Sequence, residues 1–288
     1  MFRNQKNKSI LLFREHVLNI FNAIKTIQKE KKNFHLLGIP FNEVLRLKNL
    51  PFKYDGETCL FGRKIHFNSP FWYLFGLKEI FLEKQYLFKT KSLAPLIIDC
   101  GSNIGLSLIF FKRQYPNSRI IAFEADPEIF KILKKNVQEF SFEGIELNNK
   151  AIWVDESILN FEGNDTVGGK VDALSLENKI GINKIQGVRL KDLLSKKIDF
   201  LKIDIEGAES EVLNDCKDSL NNVQNIFIEY HSTNNDKPQE LSALLNILEK
   251  NGFRYYIKEA WPIKMVPFNE KKVNSYFDLQ LNIFGYRV

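Results

Sequence analysis

The chain has 288 residues, 44% hydrophobic and 26% charged, a composition that can bury a sizeable core and argues against disorder. Its net charge of +6 is uneven: residues 1–95 carry 17 Lys/Arg against 7 Asp/Glu and the remainder 24 against 28. A mildly acidic body argues against a nucleic-acid-binding catalytic face, while the basic front leaves an anionic partner such as a membrane surface open.

At the N-terminus, basic residues precede Ile10-Leu11-Leu12-Phe13, but Arg14, Glu15 and His16 end the run too soon for a signal peptide. No apolar stretch reaches about 18 residues, so no spanning helix is expected. Over residues 9–30, Ile10, Phe13, Val17, Ile20, Phe21, Ile24 and Ile27 recur at helical spacing, opposite Arg14, Lys25 and Lys29. This amphipathic helix has three uses: packing on its own domain, pairing with a second copy, or lying on a membrane. Residues 34–68 read as loops and short strands, with Thr58–Phe61 and Lys64–Phe67 as a hairpin. Residues 70–90 read as a helix and a connection. Together they form an extension, 1–93, before the main domain, 94–288.

From residue 94 strands and helices alternate. Leu96–Cys100 and Arg119–Glu124 are continuous apolar runs of the kind a buried parallel strand requires. Between them Ile104–Gln114 is helical. Pro127, preceded by Asp126 as N-cap, opens a helix to about Glu139. A third strand covers about Ile145–Ile152, followed by a Gly-rich excursion, 163–169. Ile198–Ile205 and Asn225–His231 are the next strands. A helix over 239–251 leads to Phe253–Ile257, and the chain closes on Leu279–Arg287. The order implies a mostly parallel sheet with helices on both faces, its last two strands forming an antiparallel edge. The three cysteines, Cys59, Cys100 and Cys216, show no CxxC or Cys/His metal spacing and suit a reducing, cytoplasmic compartment.

Asp99-Cys100-Gly101-Ser102-Asn103-Ile104-Gly105 lies where a buried strand hands over to a helix, the edge at which open α/β sheets bind ligands. Glycines at 101 and 105 let the backbone turn and approach a ligand with no Cβ in the way. Glu124 follows at the end of the next strand, where an acid can bind a ribose diol. A dinucleotide site is the natural competitor, but its glycine pattern would need Gly where this chain has Asn103 and Leu106. Asp99 also suits a cationic ligand better than a pyrophosphate.

With Ala122–Pro127, Gly187–Leu190 and Leu201–Glu209 added in the same order, the chain from about 78 to 288 resembles the FkbM family of S-adenosylmethionine-dependent methyltransferases. That resemblance implies a Rossmann-like class I methyltransferase fold with a seven-stranded sheet, acting on hydroxyl oxygens of sugars, polyketides or other small metabolites. It implies a cofactor loop at Asp99, Gly101, Ser102, Asn103 and Gly105, with Asp99 near the methionine amino group, Glu124 on the ribose and Asn149 near the adenine.

Read on their own, Lys202, Asp204 and Glu206 share one face of a buried strand, where charge is costly unless paired or functional. Glu229 and His231 repeat the pattern one strand on. Asp204, Glu206, Glu229 and His231 are therefore the catalytic candidates, with a Lys202–Asp204 structural ion pair as the alternative. Methyl transfer needs the hydroxyl held in line and its proton removed, by His231, Glu229 or Asp204. No residue is assigned to a metal, although the carboxylates offer an alternative in which a divalent ion acidifies the hydroxyl. The expected activity is O-methylation of a small-molecule or glycan hydroxyl. A cofactor-binding scaffold and an NAD(P)-dependent oxidoreductase remain as other classes. The loops around 162–185 and 232–238 carry no pattern that names the acceptor.

Overall fold

The structure, a computed structural model, describes residues 25–162, 170–172, 182–233, 240–260, 269 and 277–288. The Gly-rich excursion, most of the helix expected over 9–30 and most of the two acceptor-side loops lie outside them. From residue 25 the chain is helical to 36 (α1), and no described helix is long and apolar enough to cross a membrane. A second helix, α2 (Phe41–Lys48), occupies a stretch read as loop and strand. The expected hairpin forms, β1 (Gly56–Leu60) on β2 (Arg63–Phe67). Ser69 then accepts a hydrogen bond from the Trp72 N–H, and Pro70 fills the first position of α3 (Pro70–Gly76). That helix runs directly into a π-helical turn, Leu77–Leu82.

The main sheet is built from β3 (Leu96–Cys100), β4 (Arg119–Phe123), β5 (Ile145–Asn148), β10 (Phe200–Ile203), β11 (Asn225–Thr233), β12 (Arg254–Glu259) and β13 (Phe277–Tyr286). Their spatial order is β12-β13-β11-β10-β3-β4-β5. Five strands run parallel from β11 to β5, and the closing pair is antiparallel, as expected. The reversed strand, β13, sits one place inside the edge, inserted between β11 and β12. The third expected strand divides: β5 stays in the main sheet, while β6 (Ala151–Trp153) turns away. It joins a four-stranded sheet with β7 (Ile158–Glu162), β8 (Lys170–Asp172) and β9 (Ile182–Arg189).

Alternation along each strand sorts the two faces. Ile97, Phe200 and Phe227 pack with the extension, α4 (Leu106–Gln114) and α5 (Pro127–Phe140). Ile98, Leu201, Ile226 and Ile228 pack instead with α6 (Leu190–Leu193), α7 (Glu209–Cys216) and α8 (Leu241–Lys250). The first core is continuous from Phe34, Val44 and Phe67 of the extension to Leu133 and Phe140.

Candidate active site

The pleat that buries Ile97, Phe200 and Phe227 places Asp99, Lys202 and Glu229 two residues on, on the same face and toward the carboxyl edge. Lys202 is in direct register with Asp99. Its ammonium is 3% exposed; it donates to the Gly101 carbonyl at 2.7 Å and to Asp204 Oδ2 at 3.0 Å, and lies 3.4 Å from Asp99 Oδ1. Burial alone would lower its pKa, yet Asp204 and Asp99 hold it well above the usual lysine value. The structural ion pair and the site are thus the same object.

Gly101, Asn103 and Gly105 take left-handed backbone, and the N–H groups of Gly101 and Ser102 donate to the Phe123 carbonyl at 3.0 and 2.9 Å. The sharp turn expected of the two glycines is present, and neighbouring atoms of the chain occupy the space a Cβ would take. A Cβ on Gly101 would stand 1.8 Å from the Asp204 carbonyl oxygen, and one on Gly105 would stand 2.7 Å from Leu133 Cδ1. Gly101 therefore makes room for the Asp204 backbone, whereas Gly105 meets only the movable tip of Leu133 and is required by its left-handed backbone.

A cleft opens at this edge. Of the expected cofactor residues Gly101, Ser102 and Asn103 line it, and so do all four catalytic candidates, Asp204, Glu206, Glu229 and His231. Asp99 does not: it is fully buried, accepts the Ser107 hydroxyl and lies 3.4 Å from the Lys202 ammonium. Glu124 sits beneath the loop. Its two oxygens accept the N–H groups of Asn103 and Asp126 at 2.8 and 2.9 Å, and burial lifts its pKa to about 7 against those two bonds. Asn149 donates to the carbonyls of Glu124 and Ala125 at 2.9 and 3.2 Å, tying the tips of β4 and β5 together.

The opposite wall comes from the extension, where sequence reading placed no functional residue. Trp72, Phe75 and Glu79 project from α3 and the π-turn, followed by Gln85 and Tyr86, and Gln280 comes from β13. Tyr86 is wedged among Phe110, Phe111, Phe200 and Phe227. The sequence reading of residues 70–90 as a helix and a connection reaches the start of this wall, α3, but not its function.

Carboxylates crowd the cleft. Burial raises Glu79 to about 7 and Glu206 to about 8, and burial with Asp204 beside it lifts Glu229 well above the ordinary range. His231 lies 3.1 Å from Glu209 through Nδ1 and 3.7 Å from Glu206 through Nε2. Burial disfavours its charge, but Glu206, Glu209 and Glu229 outweigh that and hold its pKa well above 6.5. Asp204, Glu206 and His231 bring ligand-type atoms within 4.8 Å of one another. Within the trio His231 lies against Glu206, and its other ring nitrogen lies against Glu209.

A doubly wound sheet with this cleft at its carboxyl edge is a Rossmann-like α/β fold. The chain belongs to the FkbM methyltransferase family: the family model for the methyltransferase FkbM domain matches residues 99–255, more than half of its length. It is 26% identical over 201 residues to Methyltransferase 1 of Beauveria bassiana, covering 61% of this chain and 79% of that protein. It is 28% identical over 214 residues to Methyltransferase sdnD of Sordaria araneosa, covering 62% and 81%. The solved structure of Methyltransferase FkbM from Methylobacillus flagellatus aligns over 72% of this chain and 47% of that chain, at 14% identity and a TM-score of 0.48. This chain thus spans about half of that one.

Proposed function

We propose that this methyltransferase uses S-adenosylmethionine and methylates a hydroxyl oxygen of a glycan or another small molecule. One observation carries the reading. The cleft gathers Glu79, Asp204, Glu206 and Glu229 beside a small-residue loop, and the cations that line it among the described residues, Lys202 and His231, are already paired. Burial and mutual repulsion hold the carboxyls of Glu79, Glu206 and Glu229 back from ionising, and a cationic ligand would favour their charged forms. S-adenosylmethionine, when bound, supplies an electrophilic methyl on a positively charged sulfur.

Gly101, Ser102 and Asn103 would lie along the cofactor, with Glu124 and Asn149 beyond them at the tips of β4 and β5 for its nucleoside end. The extension's wall would hold the acceptor. Among the described residues Trp72 Nε1 and Gln85 Oε1 are buried without a hydrogen-bond partner, and both residues line the cleft. Such atoms call for a ligand or water to complete them. Removal of the acceptor proton would fall to one of the acid-base groups that line the cleft, His231, Glu229 or Asp204.

Titration calorimetry with S-adenosylmethionine, S-adenosylhomocysteine and NADH tests the cofactor. We expect binding of the first two only; binding of NADH alone would sink the reading. Incubation of labelled S-adenosylmethionine with hydroxyl and amine acceptors then tests the oxygen, and label entering only amines would refute O-methylation.

A further inference from the structure

Glu209 is a buried acid to which the catalytic reading gives no role. It opens α7 and is 1% exposed. Its Oε1 accepts the Ile205 N–H at 3.1 Å, and the Gly207 N–H lies 3.1 Å from both of its oxygens. The same Oε1 is 3.1 Å from His231 Nδ1. One carboxylate therefore joins the turn after β10, where Glu206 and Gly207 are both left-handed, to the far part of β11.

We propose that Glu209 is a positioning residue whose carboxylate fixes the His231 ring through Nδ1 and keeps it an imidazolium, with Nε2 presented to Glu206 at the cleft. A ring N–H donating to a carboxylate in a dry site is held in its charged form. Among the described residues four acids surround the ring, Glu209 from α7, Asp204 and Glu206 from the turn after β10 and Glu229 from its own strand, and of these Glu206, Glu209 and Glu229 favour the cation against burial. Lys202, the other cation of the cleft, is bonded to Gly101 and Asp204 and does not replace it. The turn carrying Asp204 and Glu206 is thereby locked to the histidine. Because the Asp204 carbonyl also packs on Gly101, the cofactor loop and the acceptor side share one support.

The meaning of the cleft rests on the function proposed above, so the test uses the cofactor-free full-length chain. The sequence holds four histidines. In protein labelled with 15N at histidine, the His231 signals are those lost in His231→Gln. We expect both ring nitrogens to be protonated at pH 7.5. In Glu209→Gln the titration midpoint of His231 should fall by about one pH unit or more, and exchange of the Ile205 and Gly207 amide protons should accelerate. Glu209→Asp, which keeps the charge, should restore part of the midpoint. A merely structural role would leave the histidine midpoint in place. A folded Glu209→Gln protein with an unchanged midpoint overturns the proposal, and so does a neutral His231 ring at pH 7 in the wild-type protein, which decides the matter should the variant fail to fold. Absence of S-adenosylmethionine binding would instead strike the functional reading and leave these spectra to be judged alone.

Discussion

Lys202 shows how one residue serves stability and site together. It neutralises two acids, and its third bond closes on the Gly101 carbonyl, so it holds the 101–105 loop against β10. Lys202→Met keeps the stem but leaves Asp99 and Asp204 without their cation. Breaking a buried pair from one side costs about 3–5 kcal/mol, and urea unfolding of the variant should show a loss of that order. A loss below about 1 kcal/mol would mean that water reaches the pair. The alternation that puts Lys202 and Asp204 on one face was legible in the sequence, and so was the Glu229–His231 repeat. The partner of Asp99 was not, because register across strands is invisible in one strand's own pattern. Gly101 was read as space for a ligand for the same reason: the Asp204 carbonyl that excludes a Cβ lies about a hundred residues away.

At the scale of elements, α5 is the clearest case of local chemistry deciding structure. Asp126 Oδ1 accepts the N–H groups of Glu128 and Ile129, and Pro127 occupies the first helical position, where no N–H is needed. Asp126→Ala should therefore lower stability by about 0.5–2 kcal/mol, whereas Asp126→Ser should recover most of it; equal melting temperatures for wild type and Asp126→Ala would refute the cap. Caps, apolar strand runs and the hairpin were readable because each is written within a few residues. Helix α2 was missed because Pro40, Pro51 and Gly56 crowd its flanks and its eight residues bury only Val44 and Leu47. The π-turn has no sequence signature of its own; it follows from packing, with Leu77, Ile80 and Phe81 all drawn into the core. The smaller sheet escaped notice because β6 follows β5 after two residues and reads as the same strand.

For the whole molecule the acids of the cleft and loop set a direction for stability against pH. Glu79, Glu124 and Glu206 have folded values of about 7, about 7 and about 8 against an ordinary 4.5. The folded state thus holds more protons than the unfolded state in that window, and stability falls as pH rises. His231, raised above 6.5, adds a contribution that is complete below that value and lost as pH climbs through its folded value. The lowered acids, Glu43, Glu83, Asp155 and Asp215, act with the opposite sign and only below about pH 4.5. The melting temperature of the ligand-free protein should therefore decline from pH 5 to pH 8.5, and scanning calorimetry across that range would contradict this if it rose. The order of the strands has a consequence of another kind, for the newborn chain. Because β13 lies between β11 and β12 but is synthesised after both, β11 must wait on the ribosome's output with its outer row of N–H and C=O groups unpaired. Until residues 277–286 emerge, β12 has no neighbour either. An open apolar edge of that sort invites pairing with other chains. The interval between synthesis of β11 and of β13 is then the stretch of this protein's life in which a chaperone has most to protect.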